Sequence, residues 1–353
     1  MFRILAINPG STSTKIALYE DEYPHSQLSL SHSSEDLKRF PFVWDQYEFR
    51  LSSVRAGIAQ WGENGRRLDA VVGRGGLLRP VKGGTYRVDS RMLADARANL
   101  QGEHVSNLAC ALADEIAKEH RTEAFIVDPV SVDEFEPLAR YSGHPLIERR
   151  ALAHTLNIHA VARRAAERLG KPVDETDLVV AHLGGGISVA PLRGGRIIDV
   201  NDASSDGPFS PERTGGLPLQ QFITLCFSGK YTEAEVRKLV MGRGGVLAYL
   251  ETSDATAVES RIAGGDVRAR EVYEAMAYQI AKEIGAMSTV LRGKVDGIVI
   301  SGGLAKSKML VDWIQARVAF IAPVIVFPGD DELLALVQGV LCVLRGDEDA
   351  RTY

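Results

Sequence analysis

Residues 8–14 read NPGSTST, and these residue types suit the binding of phosphate groups. Ser and Thr hydroxyls and the N–H groups of a turn can hold phosphate oxygens. Gly10 allows a ligand to approach the backbone closely, and Lys15 adds a positive charge directly after the segment. An ordinary polar hairpin tip is the alternative interpretation of this stretch.

A short apolar stretch followed by a glycine bend occurs twice more, at 178–190 and at 296–305. The residues of these two bends are His182, Gly184, Gly185, Gly186, Gly302 and Gly303. A single glycine triplet would be a weak signal. Two hairpins of one design, about half a chain apart, indicate a duplicated domain. Such hairpins can face each other across a cleft.

Two arginines lie in loops where a cationic side chain can meet an anion. Arg74 lies within GRGG, directly after the apolar stretch 68–72, and Arg213 lies within DGPFSPERTGG at 206–216. An Arg guanidinium can bind a carboxylate or a phosphate through two parallel hydrogen bonds. A solvated arginine on a flexible loop is the alternative for Arg74.

Asp128 and two histidines complete the candidate chemical groups. Asp128 follows the apolar stretch 124–127, and α/β folds bind ligands at the carboxyl ends of their strands. A turn or a helix N-cap is the alternative role for this aspartate. His154 and His159 are five residues apart, so they do not share a helix face as an i,i+4 metal pair would. One of the two can be functional, and the other is an ordinary histidine.

The pattern of apolar residues predicts the elements that position these groups. Strands are predicted at 3–7, 15–19, 68–72, 124–127, 178–181, 187–190, 195–200, 296–300 and 324–327. Helices are predicted near 89–119, 149–169, 218–228, 232–240, 268–292 and 331–345. The alternation of strands and helices predicts an α/β protein.

Length and composition exclude several classes of protein. The 353 residues suggest two domains, and a net charge of −5 without a basic run argues against a nucleic-acid partner. No apolar run approaches the roughly 20 residues that span a membrane. Three cysteines without metal-ligand spacing predict buried thiols, namely Cys110, Cys226 and Cys342. With no leader before the first strand, these features predict a cytoplasmic protein.

The glycine bends, the arginines and the aspartate together favour phosphoryl transfer. The sequence contains neither G-x-x-x-x-G-K-[ST] nor G-x-G-x-x-G, so neither a P-loop nor a dinucleotide-binding site is supported. Phosphoryl transfer needs cationic groups and Mg²⁺ around the phosphates, and in-line positioning of two oxygens.

The sequence resembles the acetate kinase family, within the superfamily of actin, Hsp70 and sugar kinases. The resemblance spans essentially the whole chain and rests on INPGSTSTK (7–15), GRGGLLRPVKGGTY (73–86), VDP (127–129), AHLGGGIS (181–188), DGPFSPERTG (206–215), AYLETSD (248–254) and VISGGLA (299–305). It is stronger to the butyrate and branched-chain acid kinases of this family than to acetate kinases, whose first loop usually reads NAGSSS.

The resemblance implies reversible, direct in-line phosphoryl transfer between ATP and butyrate or a branched-chain short fatty acid, giving an acyl phosphate and ADP. It implies two duplicated ribonuclease-H-like (actin-like ATPase) domains with a cleft between them. Residues 1–150 with a returning C-terminal helix at 331–353 form the first, and residues 151–330 form the second, nucleotide-binding domain. ATP/ADP and Mg²⁺ are the implied cofactors, and a homodimer or higher homo-oligomer is the implied assembly.

The resemblance also implies roles for individual residues. Arg74 meets the substrate carboxylate, Asp128 acts near the metal and the attacking oxygen, and His154 and Arg213 stabilise the transferring phosphoryl group. The residues implied to bind the phosphates and the adenosine of ATP are Asn8, Gly10, Ser11, Ser13, Lys15, His182, Gly184, Gly185, Gly186, Gly302 and Gly303. Asn8 and Asp128 are the implied Mg²⁺ ligands.

One position departs from the acetate kinase pattern, which has a metal-binding glutamate shortly after the third glycine bend. Lys306 stands there, so the full set of Mg²⁺ ligands stays open, as does the preferred acid. Two other functions stay open. One is a nucleotide-binding module without transfer activity, like the ATPase domain of actin or Hsp70. The other is a sugar kinase, whose hydroxyl acceptor needs no carboxylate-binding arginine.

Overall fold

The structure is a computed structural model that describes residues 1–62, 67–329 and 331–353. Its strands are β1 (Arg3–Pro9), β2 (Ser13–Glu20), β3 (Tyr23–Ser31), β4 (Ala70–Arg74), β5 (Thr85–Arg87), β6 (Glu123–Val127), β7 (Asp177–Leu183), β8 (Ile187–Arg193), β9 (Arg196–Ile197), β10 (Gly297–Gly302) and β11 (Val324–Pro328). Its α-helices are α1 (Ser34–Leu37), α2 (Tyr47–Gln60), α3 (Ser90–Arg97), α4 (Leu108–His120), α5 (Thr155–Leu169), α6 (Leu219–Cys226), α7 (Glu233–Val240), α8 (Gly245–Leu250), α9 (Ala255–Ala263), α10 (Val267–Val290), α11 (Lys308–Val318) and α12 (Glu332–Arg345).

The chain divides into two compact units. The first comprises Met1–Asp133 with Asp331–Tyr353, and the second comprises Glu134–Asp330. Residues 134–150, which the sequence predicts in the first domain, lie in the second unit. The reason is local packing, because Phe135 belongs to the apolar core around β7 and β8.

The first unit is built on a mixed sheet in the order β3-β2-β1-β4-β6-β5. Strands β1, β2 and β3 form an antiparallel meander, while β1, β4 and β6 run parallel. Side chains from α2 and α4, such as Val54 and Leu112, share a core with Ile7 and Ile16 of the sheet. Helix α12 packs against β1, β4 and β6.

The second unit repeats this design in the order β9-β8-β7-β10-β11. Its first three strands are again an antiparallel meander, and β7, β10 and β11 again run parallel. Helix α10 contributes Met276, Ile280 and Ile284 to one core, and α5 contributes Ile158 and Ala165 to another. The shared strand order confirms the duplication predicted from the paired glycine hairpins.

Two helices follow a strand of one unit in the chain but belong to the other unit. Helix α5 follows the last sheet strand of the first unit but belongs to the second. Helix α12 follows β11 of the second unit but belongs to the first. The first sheet therefore receives a helix that is encoded at the other end of the sequence.

Three predicted boundaries shift in ways that matter for the candidate site. The first hairpin is confirmed, but pairing of Asn8 with Lys15 extends its strands, so the turn is residues 10–12 and not 8–14. Strand β4 runs through Arg74, which places this residue at a strand end and not on a flexible loop. Helix α5 begins at Thr155 and not at 149, so His154 precedes the helix.

The prediction of three buried thiols is correct only for Cys110, whose burial raises its pKa to about 12. Cys226 and Cys342 are only half-buried. Cys226 lies on α6, a helix without a fully buried side chain. Of the helices in the described ranges, none has the length and apolar character to cross a membrane.

Candidate active site

The predicted site residues fall into one group in each unit. The first unit holds Asn8, Gly10, Ser11, Ser13, Lys15, Arg74 and Asp128, and the second holds His154, His182, Gly184, Gly185, Gly186, Arg213, Gly302 and Gly303. Most residues of each group lie at the carboxyl ends of the parallel strands or in the hairpin turn beside them, whereas His154 directly precedes α5 and Arg213 lies in the loop between β9 and α6.

In the first unit, the ends of β1, β4 and β6 bring Asn8, Arg74 and Asp128 to one edge of the sheet. The parallel register pairs the residue before Asn8 with the residue before Arg74, and it pairs Arg74 with the residue before Asp128. Gly73 is required here, because a Cβ at this position would lie 2.5 Å from the backbone oxygen of Ala109 on α4. The predicted strand-end position of Asp128 is therefore confirmed.

A glutamate that the sequence analysis missed joins two of these strand ends. Glu332, in the first turn of α12, accepts a hydrogen bond from Asn8 Nδ2 at 2.6 Å through its Oε2 atom. Its Oε1 atom lies 2.7 Å from Nη1 of Arg74. The run of acidic residues before an apolar helix was the available signal, since acids favour a first turn. That signal does not indicate which strands the first turn of the helix contacts.

Asp128 is held in an unusual backbone conformation. Its side chain is buried, and its φ of +41° lies in the left-handed region that non-glycine residues rarely adopt. The N–H of Gly84 donates to Asp128 Oδ1 at 2.7 Å, and the N–H of Asp128 donates to the carbonyl of Gly84 at 3.0 Å. Strained residues of this kind cluster at functional sites. The conformation supports a role beyond packing.

The first glycine bend is short and its tip is exposed. The N–H of Gly10 donates to the carbonyl oxygen of Ser13 at 2.7 Å, which closes the turn. The side chains of Ser11 and Lys15 are exposed, while Thr14 is fully buried. Hydroxyl, amide and ammonium donors are therefore presented together at this turn.

In the second unit, His154 and His182 stack on each other. Their ring centroids are 4.4 Å apart, with 29° between the ring planes. Nδ1 of His154 lies 2.9 Å from the hydroxyl of Ser188, and Nδ1 of His182 lies 3.3 Å from the hydroxyl of Ser301. These contacts fix the orientation of both rings. His159 is instead buried in the core, with Nε2 3.8 Å from Glu134.

Arg213 and the second glycine bend pack into one cluster. Nη1 of Arg213 donates to the carbonyl oxygen of Ala203 at 3.2 Å. A Cβ on Gly186 would lie 2.4 Å from the same Nη1 atom, so only glycine permits this contact. Ser210 connects the two segments, because its hydroxyl donates to the carbonyl of Gly185 at 2.6 Å and accepts from the N–H of Arg213 at 3.2 Å. Burial lowers the pKa of Arg213, which remains a cation.

The third glycine bend lies beside the end of β7. Gly302 has a φ of +92°, and a Cβ there would lie 2.3 Å from the carbonyl oxygen of Leu183. Gly303 begins a short 3₁₀ helix that ends at Lys306, whose side chain is exposed. Lys306 therefore lies in the second unit, whereas Glu332 contacts Asn8 in the first.

The donor set of the first unit fits a magnesium ion that takes only part of its ligands from the protein. No cluster of three or more His, Cys, Asp or Glu side chains in the described ranges could hold a metal by itself. Mg²⁺, however, is commonly bound by one or two protein carboxylates and takes its other ligands from substrate phosphates and water. The carboxylate of Glu332 and the amide of Asn8 are in contact, and Asp128 adds a second carboxylate at the same sheet edge.

Comparison with known sequences gives full-length relatives. A sequence model described as the Acetokinase family matches residues 139–322. Butyrate kinase 2 of Clostridium acetobutylicum is 47% identical over 353 residues, covering 100% of this chain and 99% of that protein. A protein named probable butyrate kinase from Listeria welshimeri is 48% identical over 353 residues, with coverage of 100% and 99%.

Comparison with solved structures gives acetate kinases. The acetate kinase of Porphyromonas gingivalis has a TM-score of 0.77 at 18% identity, covering 97% of this chain and 100% of that one. The acetate kinase of Entamoeba histolytica has a TM-score of 0.77 at 15% identity, covering 96% and 98%. Because the sequence identities are this low, the likeness shows the fold alone. The TM-scores confirm the predicted fold class.

Proposed function

The chain belongs to the Acetokinase family and is a carboxylate kinase. From this premise we propose that it transfers the γ-phosphoryl group of ATP to butyrate or a branched-chain acid of similar length. The relatives named butyrate kinase support this choice of acid. The observation that carries the proposal is the guanidinium of Arg74 at a strand end, 2.7 Å from a carboxylate oxygen of Glu332. The same fork can bind the carboxylate of a substrate.

The reaction needs no general base. A short fatty acid is ionised at neutral pH, because carboxyl groups of this kind titrate near pH 4 to 5. One carboxylate oxygen attacks the γ-phosphorus, the bond from phosphorus to the bridging oxygen breaks, and the electron pair leaves with ADP. Asp128 therefore has no proton to remove from the substrate. We assign it a role in orienting the phosphate groups and their metal.

Charge stabilisation is the main task of the remaining residues. Arg213 and His154 would balance the charge that spreads over the oxygens of the phosphoryl group in the transition state. The backbone N–H groups of the glycine bends would hold the other phosphate oxygens. Mg²⁺, held by Asn8, Glu332 and Asp128, would neutralise phosphate charge when bound.

We also propose an assembly state and a location for the protein. A homodimer or larger homo-oligomer is supported by large apolar side chains that α6 and the following turn leave exposed, such as Leu219 at 72% and Phe227 at 87%. A cytoplasmic location is supported by three cysteines of which none forms a disulfide.

The proposed activity can be tested with an acid panel. Purified protein, ATP, Mg²⁺ and hydroxylamine are incubated with acids from acetate to isovalerate, and with glucose as a hydroxyl acceptor. Hydroxylamine converts an acyl phosphate into a coloured hydroxamate. We expect the signal to peak with acids of four to five carbons. Absence of signal with every acid, in a protein that binds ATP, would leave a nucleotide-binding module as the better account, and phosphorylation of glucose would favour a sugar kinase.

Glu332→Gln should weaken the apparent affinity for magnesium. The amide keeps the shape of the side chain but removes the charge that faces Arg74 and would face the metal. We expect the Mg²⁺ concentration for half-maximal activity to rise roughly 10- to 100-fold. The matched control is Asp331→Asn, because Asp331 caps α12 by accepting from the N–H of Leu334 at 3.0 Å. An unchanged Mg²⁺ titration for Glu332→Gln would remove Glu332 from the proposed metal site.

A further inference from the structure

Arg50 is a buried arginine on α2 that contacts the first glycine bend from the interior of the first unit. Its Nη1 atom donates to the carbonyl oxygen of Ser13 at 3.1 Å, and its Nη2 atom donates to that of Ser11 at 3.2 Å. Nη1 also donates to the hydroxyl of Thr14 at 3.0 Å, and Nε donates to the side chain of Gln46 at 2.9 Å. One guanidinium therefore binds three groups of the bend at once.

The charge of Arg50 has no acidic partner among the residues that the structure describes. The side chain is 0% exposed, and all four of its acceptors are neutral oxygens. Burial lowers its pKa to about 10, which leaves the guanidinium charged at neutral pH. A buried charge without a counter-ion costs stability, and apolar side chains of similar volume often replace buried charges without loss. The position of this charge therefore calls for a functional explanation.

The contacts of Arg50 set the direction of the peptide groups in the bend. In a trans peptide the carbonyl oxygen and the following N–H point to opposite sides. The carbonyl of Ser11 faces Arg50, so the N–H of Thr12 points away from the interior. The side chains of Ser11 and Thr12 are both exposed on that outer side. An outward N–H group with a positive charge behind it suits an anion.

A second layer of hydrogen bonds supports the same arrangement. The hydroxyl of Thr14 accepts from Arg50, so its own hydrogen can be donated to Nε2 of His32, at 2.9 Å. Burial, and then the charge of Arg50, lower the pKa of His32 below its ordinary value. In its neutral form His32 has one acceptor nitrogen, and Nε2 in that role would accept the hydrogen of Thr14.

We propose that Arg50 is a positioning residue for ATP, which holds the bend at residues 10–14 in its anion-binding form and adds positive potential from behind it. Arg50 itself acts through Ser11, Ser13 and Thr14 and does not touch the nucleotide. The inference rests on the proposed function of the chain, in which this bend contacts the phosphate groups of ATP.

The test compares Arg50→Met and Arg50→Lys with a control on the same helix. Arg55→Met is the matched control, because Arg55 is exposed and pairs with Glu119 at 2.8 Å from its Nε atom. We expect Arg50→Met to raise the KM for ATP at least about tenfold, since several hydrogen bonds from a charged donor are lost. The KM for butyrate should change less than about twofold, as for an independent site. Arg50→Lys should lie between wild type and Arg50→Met.

Calorimetric binding of ATP and AMP supplies a readout that a purely structural role would not move. Arg50→Met should weaken the binding of ATP more than the binding of AMP, because ATP has more phosphate oxygens that the bend can contact. If Arg50→Met does not fold, Thr14→Val provides the milder variant, with the same direction of change. A folded Arg50→Met with wild-type KM for ATP, or equal changes for ATP and butyrate, would overturn the proposal. An inactive wild-type protein would instead overturn the kinase assignment, and the ATP-to-AMP binding ratio would still test Arg50.

Discussion

Arg213→Ala is expected to lower kcat on the order of 10³-fold, with a smaller effect on the KM for either substrate. The physical reason is that a cation which balances transition-state charge contributes little to ground-state binding. The guanidinium is held in place by the carbonyl of Ala203 and by contact with Gly186. Steady-state kinetics with saturating ATP and butyrate would measure the loss.

Two companion variants make the Arg213 result specific. Arg213→Lys keeps a positive charge but loses the planar fork, so an intermediate loss is expected. Arg237→Ala removes an exposed arginine of the same unit that pairs with Glu233 at 2.7 Å, and it should behave as wild type. Thermal unfolding would show whether Arg213→Ala is folded. A folded Arg213→Ala with wild-type kcat would contradict the assignment of this residue to the phosphoryl group.

Arg74→Ala is expected to reduce kcat/KM for the carboxylate on the order of 10³-fold while leaving the KM for ATP close to wild type. The substitution removes the fork that would bind the substrate carboxylate and also frees Glu332 from its ion pair. Because every acid in the panel has the same carboxylate, the loss should be similar for acetate and for isovalerate. A hydroxamate assay across the panel would measure this.

The control for Arg74 lies five residues further along the chain. Arg79→Ala removes an exposed arginine that pairs with Asp95 at 2.6 Å, and no loss of activity is expected. A loss in Arg74→Ala that depends on the length of the acid would instead place Arg74 near the alkyl chain. In that case another cation would have to bind the carboxylate.

Local sequence signals were sufficient for the parts of the site that depend on neighbouring residues. Apolar runs followed by bends at Gly10, Gly184 and Gly302 predicted that a strand precedes each bend, because a strand and its turn are encoded within about ten residues, although each strand extends two residues further than predicted. The strand-end position of Asp128 followed from the same logic. The duplicated strand order was visible in the sequence as two hairpins of one design.

Contacts between distant residues could not be predicted in this way. Glu332 is separated from Asn8 by 324 positions, and no local pattern connects the two. Arg50 reaches the bend from a helix whose apolar pattern gives no reason to expect a buried charge. The start of α5 was placed too early because Arg149 and Arg150 continue a helical spacing that the chain does not adopt there. Tertiary packing decided each of these cases.

The return of α12 to the first unit makes the timing of protein synthesis relevant to activity. Residues 331–353 emerge from the ribosome after all of the second unit, yet they include α12, which packs against β1, β4 and β6 of the first sheet. Gly339 packs against Val127 of β6, where a Cβ would lie only 2.5 Å from a methyl group, so the fit of α12 against this strand depends on glycine. Glu332 reaches Asn8 and Arg74 in the same step. A nascent chain therefore cannot join these strand ends through Glu332 before its last helix has been made.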